Sequence, residues 1–551
     1  MYRLSLLFFV IVTLLVRLWF LDEYPVGFSS HTVVHAKIRA RLYELIYLSP
    51  WTEERWRLLS DIVLRDHHGP QSLLEAFLVP LFGFGSVESR LMIGSLGVVS
   101  VLLVVLWGSV GVNKWFGLVL GLVVGLAPYG LYFSRYGDSE HINIYWHTFL
   151  LLFACQRVIT RGYLRDYGLM GVAAALSLYV YATNQILCVL TIPFVMFFKA
   201  LQWRSGQRSW WLASLFKVSL FASIAGTIAY PLLKQYFLIG RFVPARSPLA
   251  NPDEMGEAVS RLPQKFAAVW REFFVMGGDT WFSREAGSIY DWDLLLLIPG
   301  LIMMYALVRS ARARVRNSAS DAREKRAAMT TAHSTYFFCL VTILISVFGV
   351  LPGVLSPEPS FRRIVLTAVG LDIIEAFGLY GIICLVFRGV PQIAAQVVAL
   401  ALLIVFALGQ WNTFYYRSHS IESSSNNSVV ELVREIKRKV RAGDETFVLM
   451  PPRTSLPQRE ESLMWINYEF GFPKQLPSNL KVLDPEELGA SSYAGVLVPI
   501  ETAHKIDSKQ ISLPAGVEAT RMTRFSNQTG ETYALVDFSV VTRGEGVSPN
   551  N

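Results

Sequence analysis

The sequence predicts an α-helical polytopic membrane protein with a small α/β domain after its last span, and three observations predict it. Only 17% of the 551 residues are charged and 53% are hydrophobic, whereas about a quarter of an average soluble domain is charged. Apolar runs near the roughly 20 residues needed to cross a hydrocarbon core of about 30 Å recur as far as residue 411. The basic residues gather in alternate connections between these runs, as the positive-inside rule requires.

Eleven runs qualify as spans: 4–20, 91–110, 115–133, 142–157, 167–181, 184–200, 211–232, 293–309, 335–353, 365–387 and 392–411. Tyr2 and Arg3 precede the first, and no small-residue cleavage site follows it, so a retained helix is expected and not a signal peptide. The connection 309–326 carries Arg309, Arg312, Arg314, Arg316, Arg323, Lys325 and Arg326. Further basic clusters are Arg157/Arg161/Arg165, Lys199/Arg204/Arg208 and the turn with Lys114. Threading the spans puts all of these beside the N-terminus, on the cytoplasmic side. The net charge of +8 is thus a topology signal and not a sign of nucleic-acid binding. Cys155, Cys188, Cys339 and Cys384 lie within apolar runs without CxxC spacing, which argues against disulfide or zinc-thiolate chemistry.

Three loops, 21–90, 134–141 and 233–292, then face outward together with the tail. The expected division is a transmembrane domain over 1–411 and an extracytoplasmic α/β domain over 412–551. In the first loop a helical stretch (30–47), a Trp-rich turn (Trp51, Trp56) and an apolar segment (71–82) follow one another. That last segment is too short to span and is read as interfacial or re-entrant. The tail offers an amphipathic helix over 429–440 and strands near 446–450, 495–499 and 532–538, with no catalytic constellation. Asn426-Asn427-Ser428 and Asn527-Gln528-Thr529 fit the glycosylation triplet, a pattern that is frequent by chance. Without long disordered tails or a cysteine framework, the composition leans toward a bacterial inner membrane with a periplasmic or extracellular tail.

Chemistry in such a chain is sought where helices meet the outer loops, because polar groups are costly at membrane depth. The first loop has Asp22, Glu23, His31, His35, Asp66, His67 and His68; the next is Ser134-Arg135-Tyr136-Gly137-Asp138-Ser139-Glu140-His141; Arg362-Arg363 opens the tenth span. Arginines here suit a lipid phosphate, and a carboxylate suits deprotonation of an incoming hydroxyl or amine. The alternative is a set of interfacial anchors and local ion pairs. His31 and His35, one helical turn apart, allow a metal site with His67 and His68, although no HExxH pattern supports one. Asp372 and Glu375 inside the tenth span, with Lys217 and Lys234 near the ends of the seventh, are what a transporter would display; packed polar contacts between helices are the other reading.

Several stretches carry a resemblance. Leu21-Asp22-Glu23-Tyr24-Pro25-Val26-Gly27-Phe28 is followed by a helix ending in Ala40-Arg41-Leu42. Then come His68-Gly69-Pro70, Leu81-Phe82-Gly83 and Ser89-Arg90-Leu91, and after them Ala127-Pro128-Tyr129 with Phe133-Ser134-Arg135, and Leu178-Tyr179-Val180-Tyr181-Ala182. In order and spacing these resemble the GT-C membrane glycosyltransferases, which include the protein O-mannosyltransferases and the lipid A aminoarabinose transferases. The resemblance covers about the first 200 residues, and the remaining spans in layout.

It implies an outward-facing active site, a polyprenyl-phosphate sugar as donor, and a glycan, lipid or protein as acceptor. It also implies an aspartate shortly after the Pro-x-Gly segment. Here His31 occupies that place, and no carboxylate occurs between Glu23 and Glu44. Three sources of catalysis stay open: His31 as base, Asp22 or Glu23, or Asp138 and Glu140, which either act directly or hold a divalent cation. Arg135, Arg362, Arg363 and His68 are the implied donor-phosphate group. No other cofactor is expected. The alternative is a catalytically degenerate member kept as an assembly subunit among other membrane subunits.

Overall fold

The computed structural model describes residues 2–19, 38–65, 69–83, 85–136, 139–180, 182–204, 210–239, 260–274, 291–318, 322–354, 365–389, 391–420, 427–450, 466, 477–484, 487–488, 492–508, 513–514, 517–527 and 530–540. They fall into two compact units. One is Met1–Pro25, Pro50–Glu75 and Leu91–Ile421; the other is Val26–Ser49, Ala76–Arg90 and Glu422–Asn551.

The first unit is helical. Its elements are α1 (Tyr2–Leu18), α2 (Glu53–Arg65), α3 (Gly69–Phe82), α4 (Ser86–Gly111), α5 (Lys114–Leu126), α6 (Pro128–Tyr136), α7 (Ser139–Thr160), α8 (Leu164–Leu178), α9 (Ala182–Arg204), α10 (Trp210–Ile239), α11 (Leu262–Phe274), α12 (Asp291–Asn317), α13 (Ala322–Phe348), α14 (Val365–Gly389) and α15 (Gln392–Ser420); α3 and α4 run into the other unit. The described parts of the eleven expected spans are largely helical. Seven helices among the described residues are long and apolar enough to cross a membrane, in α4, α9, α10, α12, α13, α14 and α15, while Leu6–Leu18, Pro70–Phe82 and Lys114–Leu126 are shorter apolar helices. The protein is an integral membrane protein.

The expected span 115–133 is two helices. Pro128 has no N–H for a continuing helix and its fixed φ suits a first helical position, so α5 stops at Leu126 and α6 starts afresh. Asn113 begins α5 by accepting from the Trp115 and Phe116 amides at 3.0 and 2.9 Å. Gly117, Gly121 and Gly125 then lie one above another on α5 and face Val105, Ser109 and Val101 of α4, with no room for a Cβ at the first two. Small residues at this spacing let helix backbones approach where lipid offers no hydrophobic drive. Beside them Trp107 stacks on Phe338 and Phe116 on Phe377, and all four rings are fully buried.

Asp166 is the buried anion of the α7–α8 turn. Its carboxylate accepts from Arg157 Nε and Nη2 at 2.8 and 2.7 Å and from the Tyr163 amide at 3.0 Å, so it pairs a cation and caps α8 together. Asp166→Ala should therefore lower stability by about 3 kcal/mol, since it strands Arg157 and opens the cap. A melting temperature in detergent within a degree of wild type would disprove this.

The second unit is built on a five-stranded mixed sheet, ordered β2-β1-β3-β5-β4. Its strands are β1 (Thr446–Leu449), β2 (Leu480–Leu483), β3 (Tyr493–Pro499), β4 (Val517–Asn527) and β5 (Gly530–Val540), with helices α16 (Asn427–Ala442) and α17 (Ile500–Asp507). β1 runs parallel to β2 and β3, and β5 is antiparallel to β3 and β4. Strand alternation divides the core between the two faces. Val448 and Leu497 pack with Leu432, Val433 and Ile436 of α16. Leu449, Val496 and Val498 pack with Ala503 and Ile506 of α17. Asn479 closes α16 by donating to the carbonyls of Val440 and Asp444, beside Gly443 at φ +86°. The strands expected near 446–450, 495–499 and 532–538 are present; β2 and β4 are additional. Among the described residues, Lys437 of α16 comes within 3.9 Å of Glu88.

Candidate functional site

Most candidate residues lie outside the described residues: Asp22, Glu23, His31, His35, Asp66, His67, His68, Asp138, Arg362 and Arg363. Glu140 is in the first turn of α7, and its side chain is not described. What the structure describes is the framework from which these segments depart.

Arg135, near the end of α6, is buried. Its Nη1 donates to the Val16 carbonyl and its Nη2 to the Trp19 carbonyl, both at 2.7 Å. Carbonyls in the last turn of a helix have no partner within it, and a guanidinium fork can satisfy two of them together. Arg135 thus fastens the end of α1, from which the segment carrying Asp22, Glu23 and His31 departs. Its guanidinium also lies 5.7 Å from the ring of Trp411 in α15.

Arg17, in the same last turn of α1, is a second buried cation. Its Nη1 donates to the Gly125 carbonyl at 2.6 Å, at the end of α5, and its Nε has no hydrogen-bond partner among the described residues. The side chain crosses α4 at Gly97, where an added Cβ would stand 2.9 Å from Nε and 2.8 Å from Ser134 Cβ. Only a glycine leaves that passage open. Arg135 and Tyr145 of α7 lie within electrostatic range of Arg17, and Asp372 of α14 within range of Tyr145. α1, α6, α7 and α14 thereby converge on a group of two cations, one phenol and one carboxylate. Glu375, one turn after Asp372, is buried as well.

A similar clamp stands at the next segment. Tyr179, just after α8, donates to the Ile228 carbonyl of α10 at 2.9 Å and approaches the Leu64 carbonyl of α2 at 3.4 Å. Leu64 immediately precedes the segment with Asp66, His67 and His68. In the other unit, Arg39 donates to Ser89 Oγ, and Arg90 is buried. The resemblance motifs around Arg135, Tyr179 and Ser89-Arg90 are therefore buried polar fastenings. Arg17 and Tyr145 escaped the sequence reading, although one cation inside the first apolar run was a visible signal.

No group of three or more His, Cys, Asp or Glu side chains suited to a metal occurs among the described residues. No family model and no curated protein matches the sequence. Among solved structures, the chain is similar to ArnT from Cupriavidus metallidurans bound to undecaprenyl phosphate, at 14% identity and a TM-score of 0.41 over 98% of this chain and 99% of that one. It is also similar to the archaeal oligosaccharyltransferase AglB from Archaeoglobus fulgidus, in complex with an inhibitory peptide and a dolichol-phosphate, at 11% identity and a TM-score of 0.43 over 100% and 75%. A third similar structure is the mycobacterial arabinofuranosyltransferase AftD, at 14% identity and a TM-score of 0.39 over 98% of this chain and 40% of that one.

Proposed function

We propose that this protein is a GT-C type membrane glycosyltransferase that moves a sugar from a polyprenyl-phosphate donor to an acceptor on the outer face of the membrane. One observation carries the reading: the motif residues Arg135 and Tyr179 are buried as clamps at the starts of the two segments that hold the candidate chemistry. Buried polar groups among apolar helices are costly and point to a functional role at the loop they hold. In this reading His31 is the base, with Asp22, Glu23, Asp138 and Glu140 as the carboxylates in reach. Arg362, Arg363, His68 and Arg135 form the cationic side that receives the phosphate.

The test is sugar transfer from a radiolabelled polyprenyl-phosphate sugar by the purified protein in vesicles. His31→Ala is expected to lower turnover about a hundredfold, as loss of a general base does. Asp138→Asn gives that result instead if the second loop carries the base. Arg135→Ala is expected to lower turnover more than it raises the KM for donor, because a displaced loop misplaces the base. Full activity in all three variants would end the proposal.

The absence of any carboxylate between Glu23 and Glu44 favours a second reading, a non-catalytic subunit of a membrane complex. It requires that deletion leave the cell's glycans and lipids unchanged while partner subunits are lost from the membrane.

A further inference from the structure

A second polar cluster lies at the end of the helical unit where the basic connections gather. Four elements meet there: the α7–α8 turn, the end of α9, the start of α10 and the first half of α13. Lys217 Nζ of α10 donates to the Gly162 carbonyl at 2.7 Å. Lys199 Nζ of α9 donates to Gln202 Oε1 at 2.7 Å, and Gln202 in turn reaches the Ile159 carbonyl at 3.3 Å. Gly162, at φ +63°, lets Lys199 in, for an added Cβ would sit 2.9 Å from Nζ. The ring of His333 of α13 lies tilted against Phe198 at 5.6 Å, and its buried Nδ1 has no hydrogen-bond partner among the described residues. Lys217, His333 and Asp166 all lie within electrostatic range of Lys199.

The charges do not balance. Asp166 is taken up by Arg157 and the Tyr163 amide, which leaves Lys199 and Lys217 without a carboxylate of their own among the described residues. One donor of each ammonium is used, Lys217's on the Gly162 carbonyl and Lys199's on Gln202 Oε1, which leaves two on each. Two ammonium groups held side by side at a membrane edge are unfavourable unless an anion joins them. Lys217 and His333 are partly exposed and Lys199 is buried beside them, so an anion reaches the group from the Lys217 side. Basic pockets between spans on the positive-inside face suit anionic lipid headgroups.

We infer that Lys199, Lys217 and His333 form a binding site for the phosphodiester headgroup of an anionic phospholipid in the leaflet on the basic-loop side. The occupant is a lipid and not a soluble anion because the flanking surface is apolar, with Phe197, Leu215 and Phe216 exposed beside the cations along α9 and α10. The site is independent of sugar transfer, and its test does not read transfer.

The experiment is native mass spectrometry of the full-length protein released from detergent after incubation with phosphatidylglycerol or phosphatidylcholine. Wild type is expected to retain phosphatidylglycerol preferentially. Lys199→Gln with Lys217→Gln is expected to reduce that preference about 25-fold, near fivefold for each lysine. Lys199→Arg with Lys217→Arg, which keeps the charge, should preserve it, as should Arg312→Gln with Arg314→Gln on the exposed end of α12. Equal retention of both lipids by wild type, an unchanged preference in the double glutamine variant, or an equal loss in the Arg312/Arg314 variant would overturn the site. If the glutamine variant does not fold, His333→Ala takes its place, with a loss of preference expected and an unchanged preference overturning. Equal protection against heating by millimolar inorganic phosphate would point to a soluble anion and overturn the lipid assignment.

Discussion

Gly300→Ala is expected to be the most damaging single-methyl change in the helical unit. A Cβ at Gly300 of α12 would overlap the backbone carbonyl of Ile374, and one at Gly378 of α14 would overlap that of Leu296. The two helices face each other through glycines, and neither obstructing atom is the movable tip of a side chain. To admit one methyl group, the backbones must separate and lose contacts along the whole pair. Overpacking of this kind costs about 3 kcal/mol. The control is Gly226→Ala on α10, where nothing lies within 4 Å of the added carbon. There alanine should stabilise by about 0.8 kcal/mol, because it removes glycine's conformational freedom without any clash. Melting temperatures in one detergent should move in opposite directions. A fall of similar size in both would show that backbone propensity, and not the α12–α14 contact, governs the effect.

The second large effect is expected at Arg17, and it should separate activity from stability. Burying a guanidinium is unfavourable, and among the described residues Arg17 has one carbonyl acceptor, a phenol nearby and a second cation in range. A methionine of similar reach should therefore leave the melting temperature close to wild type, since apolar replacements of buried charges are often neutral. On the proposed function, sugar transfer should fall at least tenfold, because the cation group that holds the ends of α1 and α5 would be halved. Arg17→Met with full transfer would detach this cluster from the reaction. A collapsed melting temperature would instead make Arg17 a stabilising residue.

Much of the helical layout was legible from one property, the run length of apolar residues, because lipid imposes the same length on every span. That rule places spans inside α9, α10, α12, α14 and α15, although several of these helices continue past the apolar run, and it overlaps α13, which begins at Ala322 well before the run does. It merged α5 and α6 because Ala127-Pro128 is a single break inside an apolar run. β4 was missed because Glu518, Arg521 and Arg524 place charges on a strand whose partner is β5 alone. β2 is four residues long, too short for its alternation to register.

The sequence by itself determined that the chain lives in a membrane, which connections are basic, and that a carboxylate is missing between Glu23 and Glu44. These follow from composition and order, which need no coordinates. Only the tertiary structure decided what the buried polar residues hold. Arg135 closes α1 across 116 and 119 residues of sequence, Tyr179 reaches α10, and Lys217 reaches the turn after α7. The reason is physical: a buried donor must find an acceptor wherever packing brings one, and a helix end offers carbonyls that local sequence does not reveal.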